Sequence, residues 1–139
     1  MARILAIDYG KKRSGIAVTD PMQIIAHPLD TIDTKILIKF LENYIPAEDV
    51  IEIVIGYPKH LDNTDADIVP EIKNLAKKIA KKFPKINIEF YDERYTSKRA
   101  MQSMIQAGIK KKDRRKKGNI DKIAATIILQ DYLETKNNS

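Results

Sequence analysis

The chain contains no cysteine. Disulfides, thiolate nucleophiles and cysteine-held zinc are therefore excluded. Its two histidines, His27 and His60, are too few for a histidine-rich metal site. No apolar run is long enough to span a bilayer. The first apolar stretch is too short for a secretory signal and leads straight into Asp8. A soluble cytoplasmic protein is the expectation. With 139 residues, 43% of them hydrophobic, the chain should form one domain, 1–139, with its own core. What it has in excess is positive charge, a net +6. That balance favours polyanionic partners, and the cations are unevenly spread.

The most informative stretch is Met1 to Thr19. Arg3 to Ile7 reads as a short buried strand, followed by Asp8-Tyr9-Gly10, a basic turn at Lys11-Lys12-Arg13, and a second strand, Ser14 to Thr19. This is a β-hairpin with a carboxylate at the end of its first strand. Packing does not require an acid there. Two chemistries use such a hairpin: nucleases of the RNase H-like kind, where the Asp holds a divalent metal, and actin-like ATPases, where it cradles phosphates. A turn Asp capping backbone amides is the plainer alternative.

Further along, Gln23 to Thr31 reads as a third strand, and Pro28 suits an edge position. Asp30 to Asp33 reads as a turn. Thr34 to Tyr44 has helical apolar spacing, with Pro46 beyond its end. Val50 to Ile55 is a β-branched strand closed by Gly56-Tyr57-Pro58. A polar loop leads to a helix over Ile68 to Phe83, then to a half-buried strand from Ile86 to Tyr91. A helix is predicted from Thr96 or Ser97 to about Ala107. Asn119 is the expected cap of a last helix, Ile120 to about Glu134. The order βββαβαβαα predicts an α/β domain of RNase H-like type: a five-stranded mixed sheet, flanked by helices, with an antiparallel meander followed by parallel strands.

Parallel strands end at one edge of a sheet, where open α/β sheets bind ligands. Asp8 ends the first strand, and Asp92 and Glu93 end the fifth. Asp121 joins them if its helix lies across that edge. Asp8, Glu93 and Asp121 are thus candidate catalytic and metal-binding residues. Clustered carboxylates repel, and a hard cation such as Mg²⁺ or Mn²⁺ is the usual remedy. Taken singly, Asp121 could merely suit a helix dipole, and Asp92-Glu93-Arg94 an exposed turn.

The block Lys110, Lys111, Lys112, Asp113, Arg114, Arg115, Lys116, Lys117 lies between Gly108 and Gly118 and reads as a mobile loop. It is a solvated charge run or a set of phosphate clamps; beside an acidic metal site the second makes more sense. Lys11, Lys12, Arg13, Arg94, Lys98 and Arg99 would extend this nucleic-acid-binding surface. Tyr9, Tyr57, Tyr91 and Tyr95 near strand ends are packed in the core or stack bases.

The segments Ile7-Asp8-Tyr9-Gly10, Arg13-x-Gly15-Ile16-Ala17-Val18-x-Asp20, Ile55-Gly56-Tyr57-Pro58, Asp92-Glu93-Arg94-Tyr95-Thr96-Ser97 and Asp121-x-x-Ala124-Ala125-x-x-Ile128-Leu129-Gln130 resemble the YqgF family. Its members are bacterial proteins described as pre-16S rRNA nucleases or Holliday junction resolvase-like proteins. The likeness runs over nearly the whole chain. It implies an RNase H-like fold, a role in ribosomal RNA maturation, and Asp8, Glu93 and Asp121 as the metal-binding acids. The chain departs from the family pattern after Pro58. Lys59 to Asp65 has no glycine and Tyr57 replaces a leucine, which puts contacts of that loop in doubt.

The reading favoured is a metal-dependent nuclease for structured precursor rRNA, as a monomer or weak homodimer and in association with a ribosomal assembly particle. The alternatives are a resolvase of four-way DNA, which would need a dimer, and a non-catalytic RNA-binding assembly factor. An actin-like ATPase needs two such domains.

Overall fold

The computed structural model describes residues 2–57, 67–92 and 117–137, with only the backbone described for 117–121 and 137. Strands β1 (Arg3–Asp8), β2 (Arg13–Thr19) and β3 (Ala26–Asp33) form an antiparallel meander. A 3-10 turn (Thr34–Ile36) leads into α1 (Leu37–Ala47). Then come β4 (Val50–Tyr57), α2 (Val69–Lys82), β5 (Asn87–Asp92) and α3 (Lys117–Asn137). The five strands lie in the order β3-β2-β1-β4-β5, with β4 parallel to both β1 and β5. This is the mixed sheet expected of an RNase H-like fold.

Strand alternation sends side chains to two different layers. Leu5, Ile7, Ile16, Ile53 and Ile55 pack with α1 and α2 through Leu37, Leu41, Ile45, Ile72, Leu75 and Ile79. Ile4, Ala6, Ala17, Ala26 and Val54 pack under α3 through Ala125, Ile128, Leu129 and Leu133. No helix among the described residues is long and apolar enough to cross a membrane.

The sequence reading needs correction at several boundaries. Asp30 to Asp33 is not a turn but the end of β3, because Ile32 and Asp33 pair with Ser14 and Arg13 across the sheet. Pairing outweighs the turn preference of two aspartates. The strand starts at Ala26 rather than Gln23, because the Asp20 carboxylate draws Gln23 to Ile25 into a turn. It accepts the backbone N–H groups of Met22 (3.0 Å), Ile24 (2.9 Å) and Ile25 (2.8 Å). Those bonds hold the Asp20 carboxyl below the usual range. Gln23 adopts φ 58° in that turn, and its side-chain amide donates to the Ala2 carbonyl. Pro28 does sit on the edge strand.

Pro46 lies inside the last turn of α1, not beyond it, and Glu48 N–H closes the helix onto the Tyr44 carbonyl. The proline forfeits only the bond its N–H would have made to the Glu42 carbonyl, and the helix ends one residue later. Asn119 is not a cap, since α3 already begins at Lys117 and runs through Gly118. In β5 the expected apolar alternation is only half used. Ile88 faces the α1/α2 layer and Tyr91 faces α3, while Phe90 stays 43% exposed because β5 is the sheet edge. The helix predicted from Thr96 or Ser97 to Ala107 lies outside the described residues.

Candidate active site

Asp8 closes β1 opposite Gly15 of β2 and is half-buried. Ile4 and Ala6 of the same strand face α3, so alternation places Asp8 on that face as well. The direction of α3 follows from its far end. Lys136 Nζ lies 3.5 Å from Glu52 Oε1, near the start of β4. The C-terminus of α3 is therefore at the amino ends of the parallel strands, and its N-terminus points to their carboxyl ends. From Asp121 to Lys136 the helix spans about 22 Å at 1.5 Å per residue. From Ile4, which pairs with Glu52, to Asp8 the strand spans about 13 Å. The first turns of α3, with the backbone of Asp121, thus reach the edge where Asp8 ends β1.

Gly56 and Tyr57 end β4 beside them, and Tyr91 and Asp92 of β5 are their register partners. Glu93 is the next residue in sequence after β5. Glu93 and the Asp121 side chain lie outside the described residues, so no three-acid group is described there. The basic residues divide in the same way. Lys11, Lys12 and Arg13 are exposed at the hairpin tip. Lys117 opens α3. Arg94, Lys98, Arg99, Lys110, Lys111, Lys112, Arg114, Arg115 and Lys116, and the glycine-free loop after Pro58, lie outside the described residues.

The tip that follows Asp8 is held by contacts that sequence reasoning missed. Gly10 N–H donates to Ser14 Oγ (3.4 Å), and Thr34 Oγ1 donates to the Gly10 carbonyl (2.6 Å). The two hydroxyl oxygens are 2.9 Å apart. Thr34 spends its single proton on Gly10, so Ser14 must donate to Thr34. The three bonds close a ring around Gly10. Ser14 is fully buried, and Thr34 N–H adds a bond to the Lys12 carbonyl. A Cβ on Gly10 would run into the Arg13 carbonyl oxygen, so this position requires glycine. Ser14 and Thr34 carry no periodic signal, and their contact spans twenty residues.

Three of the four tyrosines are in contact with other side chains. Tyr9 donates to Glu71 Oε1 (3.3 Å) on α2, and burial, then the Glu71 charge, pushes its phenol up. Tyr57 meets Phe90 edge-on at 5.5 Å, and Tyr91 meets Tyr132 at 6.3 Å. Tyr95 lies outside the described residues. Burial also pushes the Tyr132 phenol up, and Glu52 and Glu89 beside it add to the shift. At that opposite edge Glu52 is buried, and its Oε1 accepts from Asn87 Nδ2 at 3.2 Å.

The donor chemistry suits one kind of ion. Asp8, Glu93 and Asp121 offer only carboxylate oxygens, the chain has no cysteine, and His27 lies on the antiparallel edge strand β3. Hard, oxygen-preferring Mg²⁺ or Mn²⁺ fits this set; softer metals do not.

A mixed β3-β2-β1-β4-β5 sheet, with an acid at the end of β1 and the helix α3 starting over that edge, defines the class: an RNase H-like domain. Solved structures agree on the fold. RuvC of T. thermophilus in complex with a Holliday junction substrate aligns at TM-score 0.62 with 14% identity, covering 100% of this chain and 98% of that one. The fowlpox virus Holliday junction resolvase aligns at TM-score 0.58 with 15% identity, covering 96% and 99%. Sequence similarity goes further. The profile of the RuvX family, described as Holliday junction resolvase, matches residues 2–135, and the chain belongs to that family of nucleases. A protein of Phocaeicola vulgatus is 50% identical over 98% of both chains, and one of Christiangramia forsetii is 52% identical over 96% of this chain and 98% of its own. Both carry the name "Putative pre-16S rRNA nuclease".

Proposed function

We propose that this chain is a single-domain, metal-dependent nuclease that hydrolyses phosphodiester bonds in 5′-end maturation of precursor 16S rRNA in the cytoplasm. The observation that carries the reading is the place of Asp8: at the carboxyl end of β1, on the face covered by α3, at the edge where α3 begins. Asp8, Glu93 and Asp121 are the residues that would hold Mg²⁺ or Mn²⁺. The ion, when bound, supplies Lewis-acid stabilisation of the phosphoryl oxygens and lowers the pKa of water.

The chain's own residues do the rest. The hydroxyl ring of Ser14 and Thr34 fixes the turn after Asp8 and so keeps that carboxylate from drifting. The cations of the hairpin tip, with Arg94, Lys98, Arg99 and the Lys110 to Lys117 block, hold the phosphate backbone without reading sequence. The substrate is the one named for the half-identical relatives.

A second reading, cleavage of four-way DNA junctions, is favoured by the description of the family itself. It requires paired cuts and hence a functional dimer.

The test is cleavage of a labelled precursor-rRNA fragment and a four-way DNA junction, by wild type and Asp8→Asn, in Mg²⁺, Mn²⁺ and EDTA. RNA cleavage that falls about 10²–10³-fold or more in Asp8→Asn, with folding and RNA binding kept, is the expected result. Paired junction cuts alone would transfer the assignment to the resolvase. RNA binding indifferent to metal, with neither substrate cut, would make the chain an assembly factor.

A further inference from the structure

Asp8 and Tyr9 are consecutive, so the sheet sends them to opposite faces. The Tyr9 side opens into a cavity of about 360 Å³ between the start of α1 and the first turns of α2. It is lined by Lys35, Lys78, Asn74 and Thr34, with Tyr9 and Glu71 on one wall. Leu37 and Leu75 form an apolar floor.

The charges in this cavity are unbalanced. Among the described residues Glu71 is the only carboxylate in the lining, and it accepts the Tyr9 hydroxyl. Lys35 and Lys78 make no ion pair among the described residues. By contrast Lys82, one turn further along α2, lies 2.7 Å from Glu42. Two uncompensated ammonium groups and an amide therefore face one cavity at the edge where β1 ends. Its volume falls in the range of small-ligand pockets.

We infer that this cavity is a subsite for the sugar-phosphate backbone of the substrate strand beside the scissile bond. Lys35 and Lys78 pair with the phosphodiester, Asn74 donates to it, and the Tyr9 ring with Leu37 and Leu75 backs the sugar. The inference rests on the nuclease reading and deepens it: the strand crosses from the Asp8 face to the Tyr9 face around the hairpin tip.

The experiment measures binding alone, in the Asp8→Asn background. Labelled single-stranded RNA and DNA oligonucleotides of one sequence are titrated at several salt concentrations and followed by fluorescence anisotropy. Lys35→Ala/Lys78→Ala should weaken binding about tenfold and lower the slope of log affinity against log salt by about 1.4, two contacts at about 0.7 each. Asn74→Asp, which puts a negative charge in the cavity, should weaken binding in the same direction. The control is Lys73→Ala/Lys77→Ala, an equal charge loss on the same helix, where both lysines open onto a separate groove with Ile88 and Phe90. Loss of binding restricted to the first pair supports the subsite; loss on RNA alone assigns it to a ribose-bearing strand, and equal loss on both polymers to the shared phosphodiester. Equal weakening by both pairs, or none by Lys35→Ala/Lys78→Ala, overturns it. Cleavage by Asp8→Asn at the wild-type rate would remove Asp8 from the catalytic site, and absence of cleavage by the wild type would remove the nuclease reading; neither touches the binding comparison.

Discussion

The two faces of the sheet are built from different side chains. Under α1 and α2 the buried residues are leucines, isoleucines and a valine. Under α3 the sheet mixes Ile4 and Val54 with three alanines, Ala6, Ala17 and Ala26, and the helix answers with Ala124 and Ala125 beside Ile128, Leu129 and Leu133. Large aliphatic groups on the first face bury the most apolar area and supply most of the hydrophobic stabilisation. Small groups on the second allow a helix and a sheet to approach closely. That second face is the one that carries Asp8 and points α3 at its edge. The first face contributes more of the stability, and the second adds placement to its share of the core.

This contrast breaks most visibly when the two faces are mutated in opposite senses. Leu41→Ala should destabilise the protein by about 2–5 kcal/mol, because Leu41 is fully buried in the first core and its loss leaves a cavity. Urea unfolding reads that loss. Cleavage by the folded fraction at low temperature should stay near wild type, since the α3 face is untouched.

Ala125→Leu should cost less stability, about 1–3 kcal/mol, because it overpacks a fully buried site under α3. Its effect on cleavage should exceed that of Leu41→Ala at matched folded fraction, since the helix that bears Asp121 is pushed off the sheet. If Leu41→Ala proved the more damaging to cleavage per folded molecule, the division of labour between the faces would be wrong.

The smallest effect is a pH response confined to the α3 side. The backbone N–H groups of Ile25, Ile24 and Met22 hold the Asp20 carboxyl below its ordinary pKa of 3.8. A carboxyl lowered by folding contributes stability that is fully present above its unfolded pKa and is lost as pH falls through its folded one. Acidification below about pH 4 should therefore loosen the β2–β3 turn. The Met22, Ile24 and Ile25 amide signals should titrate together in NMR spectra, and Asp20→Asn should abolish that transition. The α1/α2 core residues should not report it.

Much of this architecture was legible in the chain. β-Branched runs and apolar periods located all five strands, and the βαβ order predicted parallel pairing of β1, β4 and β5, because a helical crossover joins strands in that sense. Asp8 stood out because an acid directly after a buried strand has no packing role. Two of the misreadings come from judging residues by local preference. Asp30 to Asp33 and Asn119 were judged by the preferences of single residues, but pairing with the distant Arg13 and Ser14 decides the first, and a helix already begun at Lys117 absorbs the second.

By itself, then, the sequence determined the alternation, the helical faces, the carboxylate at the end of β1 and the excess of cations. These are local properties, set by the order of residue types and by the periods of strand and helix. Only the tertiary structure decided which face Asp8 shares with α3, that α3 runs toward that edge, that Ser14 and Thr34 close a ring on Gly10, and that Lys35 and Lys78 meet across a cavity. Those facts join residues far apart in the chain. Contacts of that kind depend on how whole layers pack, and no window of neighbouring residues contains them.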